Sequence, residues 1–511
     1  RATNSQPLLR PAAMESPWWK AIASGDTSRG LPSQKQQTAT FVTEGTQTYW
    51  VTTNPASATV PEQSPVSTES IPVSAPSPPP AVSQPAPQPT ISQSATILPS
   101  PRPIPSPALP ESTSPQPKPE AAQPTKVVPI VSSERDAIAA KRAWKYFERN
   151  WNQQTGLVNA VDQFAWTTLW DQGSALLGIH AGRQLGLMTE SRFDQRLSVM
   201  LKTLETLPIP IAGLPNKAYS TSTAQMRQLD DTPDPEGASG WSVLDIARFL
   251  VGLHVIQQHY PNYGDRIHRI VQRWQLTKLV KNGELIGGIS TPQGIQRVQE
   301  GRLGYEQYAA YGLKLWGLEA TKALHHPPSK TIKVDGVSLQ VDQRELKNSG
   351  ASNYLTSDPY LLWGLELGWT ETVKPQVQNL FKVQAQRYQR TRIVTAVNED
   401  SIDRPPYFLY YSVYVNGQPW HAINVQGKAF PHLRCVSTKA AFAWSFLMQK
   451  EPYAQILRDT VQNLADPDRG YFSGRYEDPS LGKNISIDVN TNAVILESLL
   501  YKARGEQPLA L

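Results

Sequence analysis

Residues 132–511 read as an all-α domain, an (α/α)6 toroid with short β-hairpin insertions, preceded by a disordered Pro-rich N-terminal segment. Three observations predict this. Apolar residues after Ser133 recur at helical spacing. Helices with one apolar stripe alternate with helices that are apolar on every face. Strand-like segments are few and short. A helix apolar all round must be buried all round, whereas a striped helix covers it from outside. Six inner helices alternating with outer ones therefore close into a ring.

The N-terminal part follows from composition. Of 511 residues, 45 are Pro, and most of these crowd into 55–131. That stretch is Pro, Ser, Ala, Thr and Gln with almost no aromatics. It cannot bury enough apolar surface to offset chain entropy, so it reads as a disordered linker with polyproline II character. Residues 1–54, with Trp18, Trp19, Trp50 and a β-prone stretch at 38–53, read as a short, mostly disordered segment. The chain begins at Arg1, and a removed signal or anchor upstream is expected. A long Pro/Ser/Thr tether suits a periplasmic or extracellular protein held to the envelope or membrane through its N-terminal tail.

In the folded part, Ser133 caps the first helix, with Glu134 and Asp136 in its first turn. Amphipathic, outer helices are expected at 135–151, 191–207, 263–276, 373–390 and 452–464. Apolar, inner helices are expected at 168–187, 240–257, 304–320, 358–368, 437–448 and 491–501. The sixth outer helix, between 320 and 358, is weak. Residues 330–341 there read as a β-hairpin around Asp335-Gly336, and 407–415 reads as a strand before the turn Asn416-Gly417.

The net charge of +6 is mild, and no Lys/Arg cluster is interleaved with aromatics, which argues against a nucleic-acid partner. Cys435 stands alone, so no intrachain disulfide forms. No apolar run is long enough to span a membrane.

Chemistry gathers at the starts of the inner helices. They open on Trp170-Asp171, on Gly240-Trp241-Ser242 with Asp245 one turn in, on Gly304-Tyr305-Glu306-Gln307-Tyr308, on Ser357-Asp358-Pro359-Tyr360, and on Asn490-Thr491-Asn492. In a toroid these ends converge and line one concave site. The loops add Glu399, Asp400 and Tyr407, then Trp420, then Tyr476 and Glu477. Glycoside chemistry needs a carboxylic acid to protonate the leaving oxygen and a carboxylate to activate water or attack. Glu306, Asp171, Glu399 and Asp400 are the catalytic candidates. Trp170, Trp241, Tyr305, Tyr308, Tyr360, Tyr407, Trp420, Tyr476 and Glu477 are the sugar-binding candidates, since flat rings stack on sugar faces.

Structural roles compete with these. Ser357 or Asp358 before Pro359, and Asn490, read as helix caps. Asp245 is spaced to pair with Arg248 on one helix face. Asp171 needs a partner to be buried at the start of an apolar helix. Glu306 has no evident partner in the sequence. Asp230-Asp231-Thr232-Pro233-Asp234 resembles a magnesium-binding D-D-x-x-D run, but Pro233 and Pro235 break the helix that such a site needs, so it reads first as a solvated loop and second as a loop calcium site. His180 and His254 read as core histidines, and His325-His326 as loop. No metal or cofactor is expected.

The stretches WDQGSALLGIHAGRQLGL (170–187), GWSVLDIARFL (240–250), EGRLGYEQYAAYG (300–312), SDPYLLWGLELGW (357–369), TAVNEDSIDRPPYF (395–408), GYFSGRYED (470–478) and NTNAVILESLLY (490–501) together resemble the bacterial domain-of-unknown-function family 3131, common in cyanobacteria. The resemblance implies a relative of the glucoamylase-like α/α-toroid domains, some of which act on β-glucans. It carries no catalytic residue across. The expected function is a glycoside hydrolase-like enzyme acting on a cell-envelope or extracellular glucan, its partner an oligo- or polysaccharide. The alternatives are a non-catalytic glycan-binding or scaffolding toroid in polysaccharide export, and a metal-dependent lipid-diphosphate enzyme using Asp230, Asp231 and Asp234.

Overall fold

A computed structural model describes residues 133–210 and 212–511 in full, and the backbone of 39–44 and 47–52. The Pro-rich stretch lies outside the described residues. Within the segment expected to lack fixed structure, Ala39–Glu44 and Gln47–Thr52 pair as an antiparallel hairpin with Phe41 opposite Trp50.

The helices after Ser133 run in order α1 (Glu134–Asn150), α2 (Leu169–Gln184), α3 (Glu190–Thr206), α4 (Val243–His259), α5 (Gly264–Gln272) and α6 (Tyr305–Lys314). They continue as α7 (Thr321–His325), α8 (Asp358–Leu362), α9 (Lys374–Thr391), α10 (Thr438–Leu447), α11 (Pro452–Val461) and α12 (Val489–Ala503). The even-numbered helices form a closed circuit: α2 packs on α4, α4 on α6, α6 on α8, α8 on α10, α10 on α12, and α12 back on α2. The odd-numbered helices cover them from outside. α1 lies on α12 and α2, α3 on α2, α5 on α4, α7 on α6 and α11 on α10. This helix-rich arrangement is consistent with an α/α toroid. The weak outer helix is the five-residue α7. The hairpin expected after it is present as Ser329–Val334 paired with Val337–Asp342, and α9 packs against it.

The circuit closes tightly because small residues let helices approach. In α2, Gly178 and Gly182 face the rings of Phe147 and Trp144 on α1; a Cβ at either position would come within 2.4 Å of ring carbon. Gly178→Ala is therefore expected to cost about 1–3 kcal/mol through overpacking. A urea unfolding curve that matches wild type would refute this.

Two features position the loops. Short antiparallel sheets run into the inner-helix starts: Trp166–Thr168 with Ala218–Ser220 before α2, and Cys435–Ser437 with Gly474–Tyr476 before α10. At the other end of α8 the chain continues as a π-helical turn, Trp363–Leu367. Its Leu365 and Glu366 carbonyls accept the backbone N–H groups of Leu509 and Ala510, so the C-terminal residues pack against the ring there. Among the described residues no helix is long and apolar enough to cross a membrane.

Candidate active site

A cavity of about 530 Å3 opens where the inner helices begin. α2 contributes Trp170 and Asp171, α4 contributes Asp245, α6 contributes Tyr305, α10 contributes Lys439, and α12 contributes Asn490 with Asp488 just before it. Loops add Glu300, Arg302 and Tyr354, and the antiparallel strands Glu399–Ser401 and Phe408–Val415 add Glu399, Asp400 and Tyr410. Six carboxylates thus face two cations, Arg302 and Lys439, among aromatic rings.

One wall is built on the α4 N-terminus. The Ser242 hydroxyl caps the helix by accepting the Asp245 N–H at 3.2 Å. The same oxygen lies 3.0 Å from Asp245 Oδ1 and 2.7 Å from Glu300 Oε1. The Val243 N–H donates to Glu300 Oε2 at 2.9 Å. Gly287 makes room for this carboxylate, since a Cβ there would sit 2.2 Å from Glu300 Oε2. Burial, then the charge of Glu300, push Asp245 from the ordinary 3.8 up to about 8. Burial also raises Glu300.

Glu399 stands in a second group. The Tyr305 hydroxyl donates to Glu399 Oε2 at 2.8 Å, and lies 2.9 Å from the Thr356 hydroxyl. Burial and the nearby Asp358 raise Glu399 to about 7, against the pull of Lys439. Lys439 reaches Asp358 at 3.3 Å and Asp400 at 3.8 Å. Asp400 is buried and held well above the usual carboxylate range by desolvation.

Asp171 forms part of the floor. It closes a capping box with Thr168, whose hydroxyl donates to it at 2.8 Å, and it accepts the Asn490 amide at 2.9 Å. Burial raises its pKa, and these hydrogen bonds work against the rise. Asn490 in turn accepts from Ser174, which accepts from Arg248 on the ring axis. The Arg248 guanidinium lies 5.1 Å from the Trp170 ring. Trp170 and Tyr305 sit 6.4 Å apart, and Tyr354 stacks on Tyr410 at 4.0 Å.

Asp171, Glu399, Asp400, Trp170 and Tyr305 are therefore brought to one cavity, as the sequence predicts. Other candidates do not line it. The carboxylate of Glu306 is clasped by Arg344, itself bound to Asp342, and burial raises Glu306 to about 7. The Trp241 indole donates to the Ile286 carbonyl. Tyr308 is buried beneath the cavity, on Arg248 and Glu366. Tyr360 is in the core. Tyr407 follows the Pro405-Pro406 cis bond with φ 70° and does not reach the lining. The Trp420 indole donates to Asp335. The Tyr476 hydroxyl donates to Asp403. Glu477 is gripped by Arg387 and Arg434, which lower its pKa against burial.

Three structural expectations also change. Asp245 does not pair with Arg248, which binds Glu366 and Glu497 instead. Asp488, not Asn490, caps α12. Ser357 precedes α8, but its hydroxyl receives the Trp444 indole N–H and caps nothing. In the 230–234 loop, Asp234 accepts from Ala238 and Ser239, and Asp231 pairs with Arg227. His180 is buried against Tyr260, as expected of a core histidine.

Sequence reasoning missed Glu300, Lys439 and Asp488 as cavity groups. Glu300 lies in a loop with no periodicity to place it. Lys439 on an apolar helix was the available signal, because a buried ammonium demands a carboxylate partner.

A family model described as "Protein of unknown function (DUF3131)" matches residues 138–505. The chain belongs to that family. None of the curated proteins is similar to it in sequence. Among solved structures it is similar to an endo-β-1,2-glucanase from Chitinophaga pinensis in complex with sophorotriose and glucose. The identity is 11%, the TM-score 0.51, and the match covers 74% of this chain and 94% of that one. An endo-β-1,2-glucanase from Talaromyces funiculosus with sophorose is also 11% identical, with a TM-score of 0.51, covering 73% and 84%. A glucoamylase-like protein from Bacteroides caccae is 15% identical, with a TM-score of 0.51, covering 74% and 96%. At these identities the likeness is one of fold.

The raised Asp245 has a consequence for stability. The unfolded chain loses this proton near 3.8, whereas the folded chain keeps it to about 8. Folded protein then binds more protons over that interval. The stability from this group is complete below 3.8 and is lost as pH rises through 8. The stability difference between wild type and Asp245→Asn should therefore decline from acid to mildly basic pH. Urea titrations at several pH values would show a constant difference if the folded carboxyl titrates normally.

Proposed function

We propose that this protein is a glycoside hydrolase-like enzyme acting on a neutral β-glucan of the cell envelope or extracellular matrix. The pair formed by Asp245 and Glu300 is the acid, and Glu399 is the base. One observation carries the reading. A single aromatic-lined cavity holds a carboxyl that keeps its proton to about 8 and a separate carboxyl balanced at about 7. Groups poised in this way supply a proton and accept one near neutral pH.

A sugar ring would stack against Trp170 or the Tyr354–Tyr410 pair. The acid protonates the glycosidic oxygen as the bond to the anomeric carbon breaks, and Glu399 takes a proton from the attacking water. The lining is rich in acids that burial already holds above their ordinary pKa, so a further anion is disfavoured there and a neutral chain fits better than a uronate or phosphorylated glycan. Structures of similar fold were solved with sophorose and with β-1,2-glucan, which makes that linkage the first to try. The Pro/Ser/Thr-rich stretch supports action outside the cytoplasm, as a spacer from an anchoring surface.

The test is reducing-end release from a panel of β-1,2-, β-1,3- and β-1,4-glucans. Turnover of at least one neutral glucan, with none of an anionic one, is the expected result. Binding across the panel without turnover would replace this reading with a glycan-binding scaffold. A protein that neither binds nor cleaves any member of the panel would overturn it.

A further inference from the structure

The α4 N-terminus holds an arrangement whose hydrogen atoms can be counted. Ser242 Oγ carries one hydrogen, yet it lies within hydrogen-bond distance of two carboxyl oxygens, Asp245 Oδ1 and Glu300 Oε1. One of its lone pairs already accepts the Asp245 N–H. If both carboxyls were ionised, the single hydroxyl hydrogen could satisfy only one of them. The other contact would set lone pair against lone pair at hydrogen-bond distance, an unfavourable arrangement. One carboxyl must therefore carry a proton.

The surroundings decide which one. Glu300 has the shorter bond to the serine and also accepts the Val243 N–H, at the positive end of the helix. It is the better-stabilised anion. Asp245 then holds the proton and donates it to the free lone pair of Ser242 Oγ, while Ser242 donates to Glu300.

Resting on the hydrolase reading, we propose that Asp245, Ser242 and Glu300 form one acid that shares a single proton, with the serine hydroxyl as the bridge. In the resting form Asp245 is protonated and Glu300 is ionised. Moving two hydrogens in concert gives the reverse form, with Asp245 ionised and Glu300 protonated. Ser242 ends with one hydrogen, as it began. Either carboxyl can thus be the one that meets the glycosidic oxygen. When the proton passes to that oxygen and the glycosidic bond breaks, the pair is left as a dianion. The water that attacks gives its proton to Glu399, which releases it to solvent as the pair regains one. Ser242 is a positioning residue here, acting through the two acids.

The other charged groups around Asp245 agree with this. Lys217, from the loop before Ala218–Ser220, is attracted to both carboxyls and eases the transient dianion. Asp171 on α2 and Glu300 both oppose a second charge at Asp245. Tyr410 lies within electrostatic reach and contributes no charge at neutral pH, since burial holds its hydroxyl well above the ordinary value.

Infrared difference spectroscopy of the whole protein tests this without a substrate. Subtracting Asp245→Asn from wild type should leave one protonated-carboxyl C=O band that bleaches with a midpoint near pH 8. Ser242→Thr keeps the bridging hydroxyl and should keep that midpoint. Ser242→Ala removes the bridge between the two carboxyls, so its midpoint should shift by about one pH unit or more. A merely structural cap would leave the midpoint unmoved once folding is verified by circular dichroism. Should Ser242→Ala fail to fold, Gly287→Ala displaces Glu300 from the other side and should lower the midpoint, because the Glu300 charge moves away from Asp245. No protonated band, or one midpoint shared by all folded variants, overturns the shared proton. A band that behaves as described on a protein that cleaves no glycan would sink the hydrolase reading and leave the proton sharing intact.

Discussion

Arg248→Met should lower the unfolding free energy by about 3–5 kcal/mol, the largest single-site loss expected in this fold. The guanidinium is buried on the ring axis with a side-chain exposure of 1%, between Glu366 and Glu497, both at 0%. It donates to Glu366, to the Tyr308 hydroxyl at 3.0 Å and to Ser174 at 3.1 Å. Burial and the charge of Glu366 hold Glu497 well above the usual carboxylate range, so the cluster balances as one cation, one anion and one neutral acid. Without the arginine, Glu366 is a buried charge with no counter-ion. The same change loosens the cavity floor, because Arg248 supports Trp170 and, through Ser174 and Asn490, Asp171. Urea unfolding checks the first effect. The double replacement Arg248→Met with Glu366→Leu should recover part of the loss, since an apolar pair strands no charge. Arg248→Lys should fall between, because an ammonium keeps the charge but cannot reproduce the fork. A single mutant as stable as wild type would mean that the cluster is not ionised.

Glu399→Gln should reduce kcat/KM on a cleaved glucan by about 10^2–10^4-fold, the range for a lost general base. Binding should survive, because the amide oxygen can still accept the Tyr305 hydroxyl that holds Glu399 in place. The acid limb of the pH–rate profile, set by a group at about 7, should vanish with it. If that limb persists in Glu399→Gln, the base is another cavity carboxylate, with Asp488 next in line.

Much of this was readable from residue order. Two kinds of helix alternate because burial on all sides and burial on one side demand different residue patterns. That difference is local, so the ring could be read along the chain. The gathering of chemistry at the inner-helix starts followed from the same alternation. It placed Asp171, Glu399, Asp400, Trp170 and Tyr305 in one cavity. Where the reading failed, the partner was far away in sequence. Asp245 is spaced to meet Arg248 on one helix face, yet Arg248 turns to the ring axis and meets Glu366, 118 positions on. Glu306 is clasped not by Arg302, four positions before it, but by Arg344 from 38 positions away. Glu300 reaches Ser242 across 58.

Which helices lie inside, which lie outside and which of their ends carry acids follows from residue order, because hydrophobic burial is a property of each segment. Which acids face the cavity and which are neutralised by arginine is set by long-range packing. A carboxylate's charge state depends on the desolvation and counter-charges that distant segments bring to it, and those are set by the closing of the ring.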